Sequence, residues 1–212
     1  MNKMVLPVLG LWLACGGTGF AAPAANCANL DGTISIWPLG PTAEQPGTTG
    51  CEAFQDRLRR ERFFEDTEFV FQPGTCFGGT INGTLTTSEG PEKAVVVSGS
   101  SLSAFTASKF GLETAAWLLQ AGGPFLMGAT IVDIKALSRP GAGSKEKEMG
   151  TLFLRDTGIV LPSSSPGMPP NAYEQLIAVG GTGPFAHAKA SFEIVGPEFY
   201  PYNARIKGTV CH

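Results

Sequence analysis

Histidine and charged side chains are scarce in this chain, and their scarcity excludes several kinds of chemistry. Only His187 and His212 are present, and no G-x-S-x-G motif occurs, so a nucleophilic serine lacks its usual partners. His187 falls on the polar face of a predicted strand, which favours a solvated histidine over a catalytic base. The sequence has no cluster of His, Cys and carboxylate residues of the kind that predicts a metal site. Charged residues make up 16 % of the chain and the net charge is −3, so we expect no nucleic-acid partner.

The chain also lacks an apolar run at its N terminus that is long enough for a stable membrane span. Residues 5–14 are apolar but too short for one. Lys3 precedes this run and Gly19-Phe20-Ala21 follows it, which is the pattern of a cleavable signal peptide. We therefore predict that residues 1–21 are removed and that the protein is exported, to the periplasm or outside the cell. The alternative is a lipoprotein signal with lipid on Cys15, although the residues before that cysteine match such a signal poorly.

C-x-x-C pairs are absent, which removes the usual spacing of a zinc site. Four cysteines remain after the signal: Cys27, Cys51, Cys76 and Cys211. An even number in an exported chain indicates two disulfides, with three possible connectivities. We favour Cys27–Cys211, which ties the two ends together, and Cys51–Cys76, which closes a local loop and contributes about 3 kcal/mol.

Glycine and proline are abundant instead, at 28 and 16 residues, and they favour turn-rich β structure over long surface helices. Residues 52–64 are the best helical candidate, because Phe54, Leu58 and Arg62 recur at spacings of four without Gly or Pro between them. Alternating or β-branched runs predict strands at 31–36, 68–73, 76–89, 93–105, 129–138, 150–161, 173–179, 187–195 and 202–210. About eight strands of this length predict a single all-β domain over 27–212, an antiparallel barrel or sandwich.

Three segments carry further expectations. Asn82-Gly83-Thr84 matches a glycosylation acceptor, but Asn-Gly between Thr- and Ile-rich flanks is more typical of a tight turn. Residues 109–128 fit either a short helix or an apolar flap. The strand at 150–161 carries leucines on one face and Phe153 on the other, so both faces need a cover. Either the flap or another subunit would provide it, and the second choice predicts a homo-oligomer.

The stretch AVGGTGPFAHA at residues 178–188 raises the question of a nucleotide cofactor. Residues 181–186 fit G-x-G-x-x-[G/A], the dinucleotide fingerprint, which requires a helix after the glycines. Here the residues after Gly183 alternate with a period of two, and too few remain for a βαβ unit. We therefore predict a hairpin turn with positive φ at one or more glycines, and no cofactor.

The same turn carries a resemblance to two known families. VGGTGPFAHAKASF resembles the GGTG-x-F turn of dirigent proteins and the GGSG-x-F turn of allene oxide cyclases. MGTLFLRDTGIV and ARIKGTV are similar to neighbouring strands in those families, so the resemblance covers residues 150–210. It implies a single eight-stranded antiparallel barrel, often trimeric, to which the spacing within residues 52–64 adds one short N-terminal helix. It also implies a small hydrophobic or phenolic ligand that the barrel guides through cyclisation or radical coupling.

Candidate site residues come from two strands. Arg155 and Asp156 are adjacent, so at most one of them enters the barrel. Asp156 shares its face with two leucines, where a carboxylate would steer a ligand or act as an acid or base, which makes it the candidate catalytic residue. The alternative, which we favour, is a strand-end aspartate in an Asp-Thr-Gly turn. Arg155, Tyr173 and Glu174 are the candidate ligand-binding residues.

Two functional hypotheses follow. In the first, the barrel binds a small hydrophobic ligand, with or without catalysis, in a cavity of roughly a few hundred Å³. In the second, the chain is a non-catalytic structural or interaction domain of the cell envelope or the secreted proteins. That second hypothesis gives the charged loop at 139–150 the main role and Asp156 none.

Overall fold

A computed structural model describes residues 26–40, 50–65, 67–69, 75–87, 94–106, 125–137, 145–161 and 167–211. The predicted signal peptide, Cys15, His212 and most of the ambiguous segment 109–128 lie outside the described residues. The last part of the segment 109–128, residues 125–128, is described and begins a strand.

Within the described residues the chain forms one closed β-barrel, in which every strand pairs with its sequence neighbours and the last strand pairs with the first. All eight pairings are antiparallel. The strands are β1 (Cys27–Pro38), β2 (Cys76–Thr87), β3 (Val95–Phe105), β4 (Phe125–Leu137), β5 (Glu146–Leu161), β6 (Asn171–Gly181), β7 (Lys189–Gly196) and β8 (Ala204–Cys211). The predicted eight-stranded antiparallel barrel is therefore confirmed.

Alternate residues of each strand point into the lumen, as the period of two requires. The inward residues are mainly branched aliphatics and phenylalanines, and closure of the sheet leaves no unpaired edge for another chain to extend. The fully buried members include Leu152, Leu154, Leu176, Ile194 and Ile206. The lumen is thus the main apolar core of the domain.

A second apolar cluster covers the outer face of β5. It is built on a helix, α1 (Cys51–Arg60), and a 3₁₀ turn (Arg62–Phe64). Phe153 points outwards from β5 and is fully buried, stacked on Phe63 with ring centroids 4.6 Å apart. The cover predicted from the flap or another subunit therefore comes from this N-terminal segment, so the apolar outer face no longer indicates an oligomer.

One local prediction is described only in part, and a second was wrong. Of the strand expected at 68–73, residues 70–73 lie outside the described residues, and Phe69 forms an isolated bridge to Thr106. The turn expected at Asn82-Gly83 lies within β2, paired with β1. A Cβ on Gly32 would lie 2.3 Å from the Asn82 carbonyl oxygen, so glycine serves close strand packing there.

Both predicted disulfides are present. Cys27 and Cys211 lie opposite each other on β1 and β8, and their bond closes the barrel seam. The bond between Cys51 and Cys76 ties the start of α1 to the start of β2. The two bridges therefore fix the chain ends and the outer helix to the same sheet.

The GGTG stretch is a hairpin connection between β6 and β7, as predicted, and Gly183 has φ +57°. Thr182 pairs with β5: the Thr151 amide donates to Thr182 Oγ1 at 3.0 Å, and the Thr182 amide donates to the Thr151 carbonyl at 2.9 Å. A Cβ on Gly180 would lie 2.0 Å from the Phe63 ring. Gly180 therefore permits close packing against Phe63, and Gly183 permits a left-handed turn.

Candidate functional site

The lumen holds a cavity of about 80 Å³. Its wall is mostly apolar, and it is smaller than the cavity expected from the sequence because inward leucines, isoleucines and phenylalanines fill much of the barrel. Lining residues come from every strand of the barrel, among them Ile36, Phe77, Phe105, Leu154, Leu176 and Ile206. A space of this size accommodates a small molecule or one part of a larger one.

Three carboxyl side chains line this apolar cavity at one end of the barrel. Asp156 comes from the C-terminal half of β5, Glu174 from the start of β6, and Glu198 from the connection between β7 and β8. Glu198 is 2 % exposed. Successive strands of an antiparallel barrel run in opposite directions, so the end of β5, the start of β6 and the end of β7 meet at the same rim. The topology itself therefore gathers the three acids.

Asp156 lies at the end of a short hydrogen-bonded chain of two hydroxyl groups. The Thr130 hydroxyl on β4 donates to Asp156 Oδ2. Ser103 on β3 shares a hydrogen bond of 2.7 Å with the same Thr130 oxygen. The other carboxyl oxygen, Asp156 Oδ1, is buried and has no hydrogen-bond partner among the described residues. A buried polar atom without a partner is uncommon and costly, and such atoms recur at binding and catalytic sites.

Burial governs the charge of this carboxyl. Loss of solvation raises the pKa of Asp156 to about 8; the Thr130 hydrogen bond acts against this rise, and the charge of Glu174 adds to it. Asp156 is therefore mostly protonated at pH 7. With Oδ2 accepting from Thr130, Oδ1 is the oxygen left to carry the carboxyl proton, and this carboxyl lines the cavity.

Glu174 and Glu198 form a hydrogen-bonded carboxyl pair. Burial raises the pKa of both, and the neighbouring Glu174 charge helps to raise the pKa of Glu198 to about 9. Two carboxyl groups in contact share a proton because both cannot ionise in a poorly solvated site. The pair thus holds at least one proton at neutral pH, beside a third acid that is also protonated.

The segment after β7 is anchored so that Glu198 faces inwards. The Ile36 amide on β1 donates to the Glu198 carbonyl at 2.8 Å, and the Tyr200 amide donates to the Ile36 carbonyl at 2.8 Å. These backbone bonds, at Glu198 and at Tyr200, tie the segment to β1 and hold the Glu198 side chain at the lumen. No sequence signal marked this residue, since it lies in a connection after Gly196-Pro197 rather than in an alternating strand.

The candidate residues divide between the two faces of the barrel. Asp156 and Glu174 line the lumen, close enough for their charges to interact. The favoured turn role for Asp156 was wrong, because Asp156-Thr157-Gly158 lies inside β5 and pairs with β6. Arg155 and Tyr173 lie on the outer face: Arg155 donates to Thr67 Oγ1 at 2.8 Å, and Tyr173 is 45 % exposed. Neither of these two belongs to the lumen cluster.

The lumen site contains no basic side chain among the described residues, since its lining comprises only apolar residues, small polar residues and the three acids. His187 is exposed outside the barrel. In the described part of the chain, no group of three or more His, Cys, Asp or Glu side chains has the geometry to hold a metal ion. The chemistry available in the cavity is proton donation, proton acceptance and hydrogen bonding.

No family model, curated protein or solved structure matches the chain. Among the helices in the described ranges, none has the length and apolar character needed to cross a membrane.

Proposed function

We propose that the protein binds a small molecule in the barrel lumen, with an apolar body against the aliphatic wall and one polar group at Asp156. The observation that carries the proposal is the Oδ1 atom of Asp156, which is buried beside an apolar cavity and has no hydrogen-bond partner in the described part of the chain. A polar group of a bound ligand would form the hydrogen bond that Asp156 Oδ1 lacks, as polar groups commonly do in ligand sites. Glu174 and Glu198 lie close enough to orient the same polar group.

The catalytic extension of this proposal gives Asp156 the role of acid and base. A pKa of about 8 places the carboxyl near the working pH, where proton transfer in both directions is most effective. The resemblance to dirigent proteins and allene oxide cyclases adds cyclisation or coupling of a small hydrophobic or phenolic molecule as the reaction class. Shared fold alone does not transfer a reaction, so the support specific to this chain is the Asp156 carboxyl.

Binding is tested by NMR on methyl-labelled protein with isobutanol and phenol as probes. We expect both probes to shift the methyl signals of Leu154, Leu176 and Ile194, which face the lumen. The methyls of Ile177 and Val195 are the internal control, because they are about half exposed on the outer face. Asp156→Leu should weaken isobutanol binding roughly fivefold or more, by loss of one hydrogen bond.

Two results would contradict the binding proposal. Signals that do not move for either probe would leave the lumen without a ligand role. Shifts confined to Ile177 and Val195 would indicate surface binding, and would favour a non-catalytic interaction domain instead.

We further propose that the protein is exported, and its two disulfides support an oxidising compartment. Expression of the full chain in a bacterium, followed by fractionation and intact mass, tests this. A periplasmic or secreted product that begins after Ala21 is expected, whereas a full-length cytoplasmic product would contradict it. A lipid mass on Cys15 would support the lipoprotein alternative. The native mass tests whether the chain forms a homo-oligomer, either the trimer that the resemblance implies or a dimer.

A further inference from the structure

We propose that the ligand of the lumen is a small organic cation, an amine with an apolar body, and that it displaces one proton from the carboxyl cluster when it binds. This inference rests on the proposed function, since it names the ligand class for the same cavity. Three observations support it: the missing counter-charge, the aromatic wall, and the unpartnered oxygen of Asp156.

The charge balance of the lumen differs from that of the rest of the molecule. Asp133 on the outer face is paired by Arg57 at 2.8 Å, and exposed Asp31 is paired by Arg205 at 3.0 Å. The three lumen acids have no such partner, because no Lys, Arg or His lines the cavity in the described ranges. A carboxylate buried without a cation is costly, which keeps these acids protonated, so a site that holds three of them is suited to a ligand that brings the positive charge.

The wall beside these acids is suited to a cation with an apolar body. Phe77, Phe105 and Phe199 line the cavity at the same end as Glu198. Their rings form one cluster, with centroids 5.3 Å apart for Phe77–Phe105 and 6.0 Å apart for Phe77–Phe199. Aromatic rings attract cations, most strongly where water is excluded, and aliphatic groups pack well against the remaining wall.

Asp156 Oδ1 is the atom that receives the cation. It is buried, it lacks a partner among the described residues, and its carboxyl lines the cavity. The ionisable groups that face it are Glu174 on β6 and Glu198 after β7; among the described residues, the other strands present only apolar or hydroxyl side chains and glycine. Thr130 already donates to Oδ2, so an ammonium on Oδ1 would complete the hydrogen bonds of the carboxylate.

The binding step balances as a proton exchange with solvent. The protonated amine enters with its charge, one carboxyl of the cluster loses its proton to buffer, and the ammonium then pairs with the carboxylate. An alkylamine stays protonated up to about pH 10, as the lysine side chain does. Because Asp156 in the free site is protonated below about pH 8, the apparent affinity for the amine should rise with pH, by up to about tenfold per unit.

The test compares isobutylamine with isobutanol, which share one apolar body and differ in the polar atom, on the mature protein at pH 6 and pH 7.5. For isobutylamine, lumen methyl shifts should give a dissociation constant that falls by about tenfold or more over this interval. Isobutanol should show no such gain. Calorimetry in phosphate and in Tris buffer should report release of about one proton per amine bound.

Two variants test whether amine binding depends on the charge of the site or on its shape. Asp156→Asn keeps the shape and a hydrogen-bonding group, so it should retain isobutanol but lose most isobutylamine binding. Asp31→Asn, the same change on the outer face, should leave both probes unaffected. The proton-release measurement uses the unchanged protein, so it remains decisive if Asp156→Asn folds poorly.

Distinct outcomes identify what fails. Isobutanol binding without isobutylamine binding, or amine affinity that falls as the pH rises, would overturn the cation assignment and leave the lumen proposal intact. If the amine binds without proton release, the displacement step is wrong. Absence of binding by both probes would overturn the cation assignment together with the proposed function.

Discussion

Arg57 and Asp133 join the outer helix to the barrel through a two-pronged ion pair. Arg57 Nη1 donates to Asp133 Oδ2 at 2.8 Å, and Nη2 donates to Oδ1 at 3.0 Å. Thr151 donates to the same carboxylate at 2.6 Å. Bidentate pairs of this kind are the stronger ones, and this pair is partly shielded from solvent.

We expect Asp133→Asn to lower the free energy of unfolding by about 1–3 kcal/mol, because Arg57 then keeps a partly buried charge without its partner. Urea unfolding followed by circular dichroism measures the change. Asp56→Asn is the matched control: its ion pair with Arg59 is exposed and lies on the same helix. The control should change stability by less than about 0.5 kcal/mol, and equal effects of the two substitutions would contradict the role given to the Arg57 pair.

The lumen acids predict an unusual dependence of stability on pH. Asp156 has a folded pKa of about 8 against an ordinary value of 3.8, so between these values the folded state binds a proton that the unfolded state has lost. The contribution of Asp156 to stability is therefore largest below its unfolded pKa and falls as the pH rises towards 8. Each such group contributes a slope of up to about 1.4 kcal/mol per pH unit, and Glu198 acts in the same direction up to about pH 9.

Urea unfolding at pH 5, 6, 7 and 8 measures this slope, and Asp156→Asn should reduce it while Asp31→Asn does not. The range stops at pH 5 because Asp133 acts in the opposite sense at lower pH. Although burial opposes it, the hydrogen bonds from Arg57 and Thr151 lower the pKa of Asp133 below its usual value, so protonation there costs stability in acid. A stability that rises from pH 5 to pH 8 would contradict protonated lumen acids.

Gly180 of the GGTG turn leaves room for the Phe63 ring, so we predict that replacing it costs stability. In Gly180→Ala the new Cβ would lie 2.0 Å from the Phe63 ring, which is stacked on Phe153. Displacing that ring should cost about 1–3 kcal/mol of unfolding free energy, as overpacking usually does. Gly99→Ala is the control, because its Cβ would have contacts of 3.3 Å or longer. Thermal unfolding compares the two, and a Gly180→Ala protein as stable as the Gly99→Ala protein would contradict this packing.

The two disulfides should contribute unequally to stability. The Cys51–Cys76 bridge closes a loop of 25 residues, so its replacement by two alanines should cost about 3 kcal/mol. The Cys27–Cys211 bridge has a sequence separation of 184, and in the same model its loss should cost about 5 kcal/mol. Denaturant unfolding of the two double variants measures the difference. Peptide mapping that finds another pairing would contradict both values.

The fold was largely predictable from the sequence because local pattern and cysteine number both constrain it. Alternation identified seven of the eight strands to within a few residues of their bounds. For the remaining strand, β1, it identified only the centre. The prediction of a turn at Asn82-Gly83 was wrong because an Asn-Gly pair is also compatible with a strand that packs closely on Gly32. Coverage of Phe153 by the 3₁₀ turn after α1 was unpredictable, since periodicity shows that a face is apolar and does not show what covers it.

The candidate site was predictable only in part. Strand parity placed Asp156 on the lumen face with the leucines, and Glu174 follows the same rule on β6. Glu198 lies in an irregular connection, where no periodicity gives the direction of a side chain. Its inward position depends on backbone bonds to Ile36, which are contacts between distant parts of the chain.

The central claim is that a small molecule occupies the lumen beside Asp156, and intermolecular NOEs from bound isobutylamine test it most directly. At pH 7.5 we predict NOEs from the probe methyls to those of Leu154 and Leu176, together with their loss in Asp156→Asn. NOEs only to the outer methyls of Ile177 and Val195, or lumen NOEs unchanged in Asp156→Asn, would contradict the account.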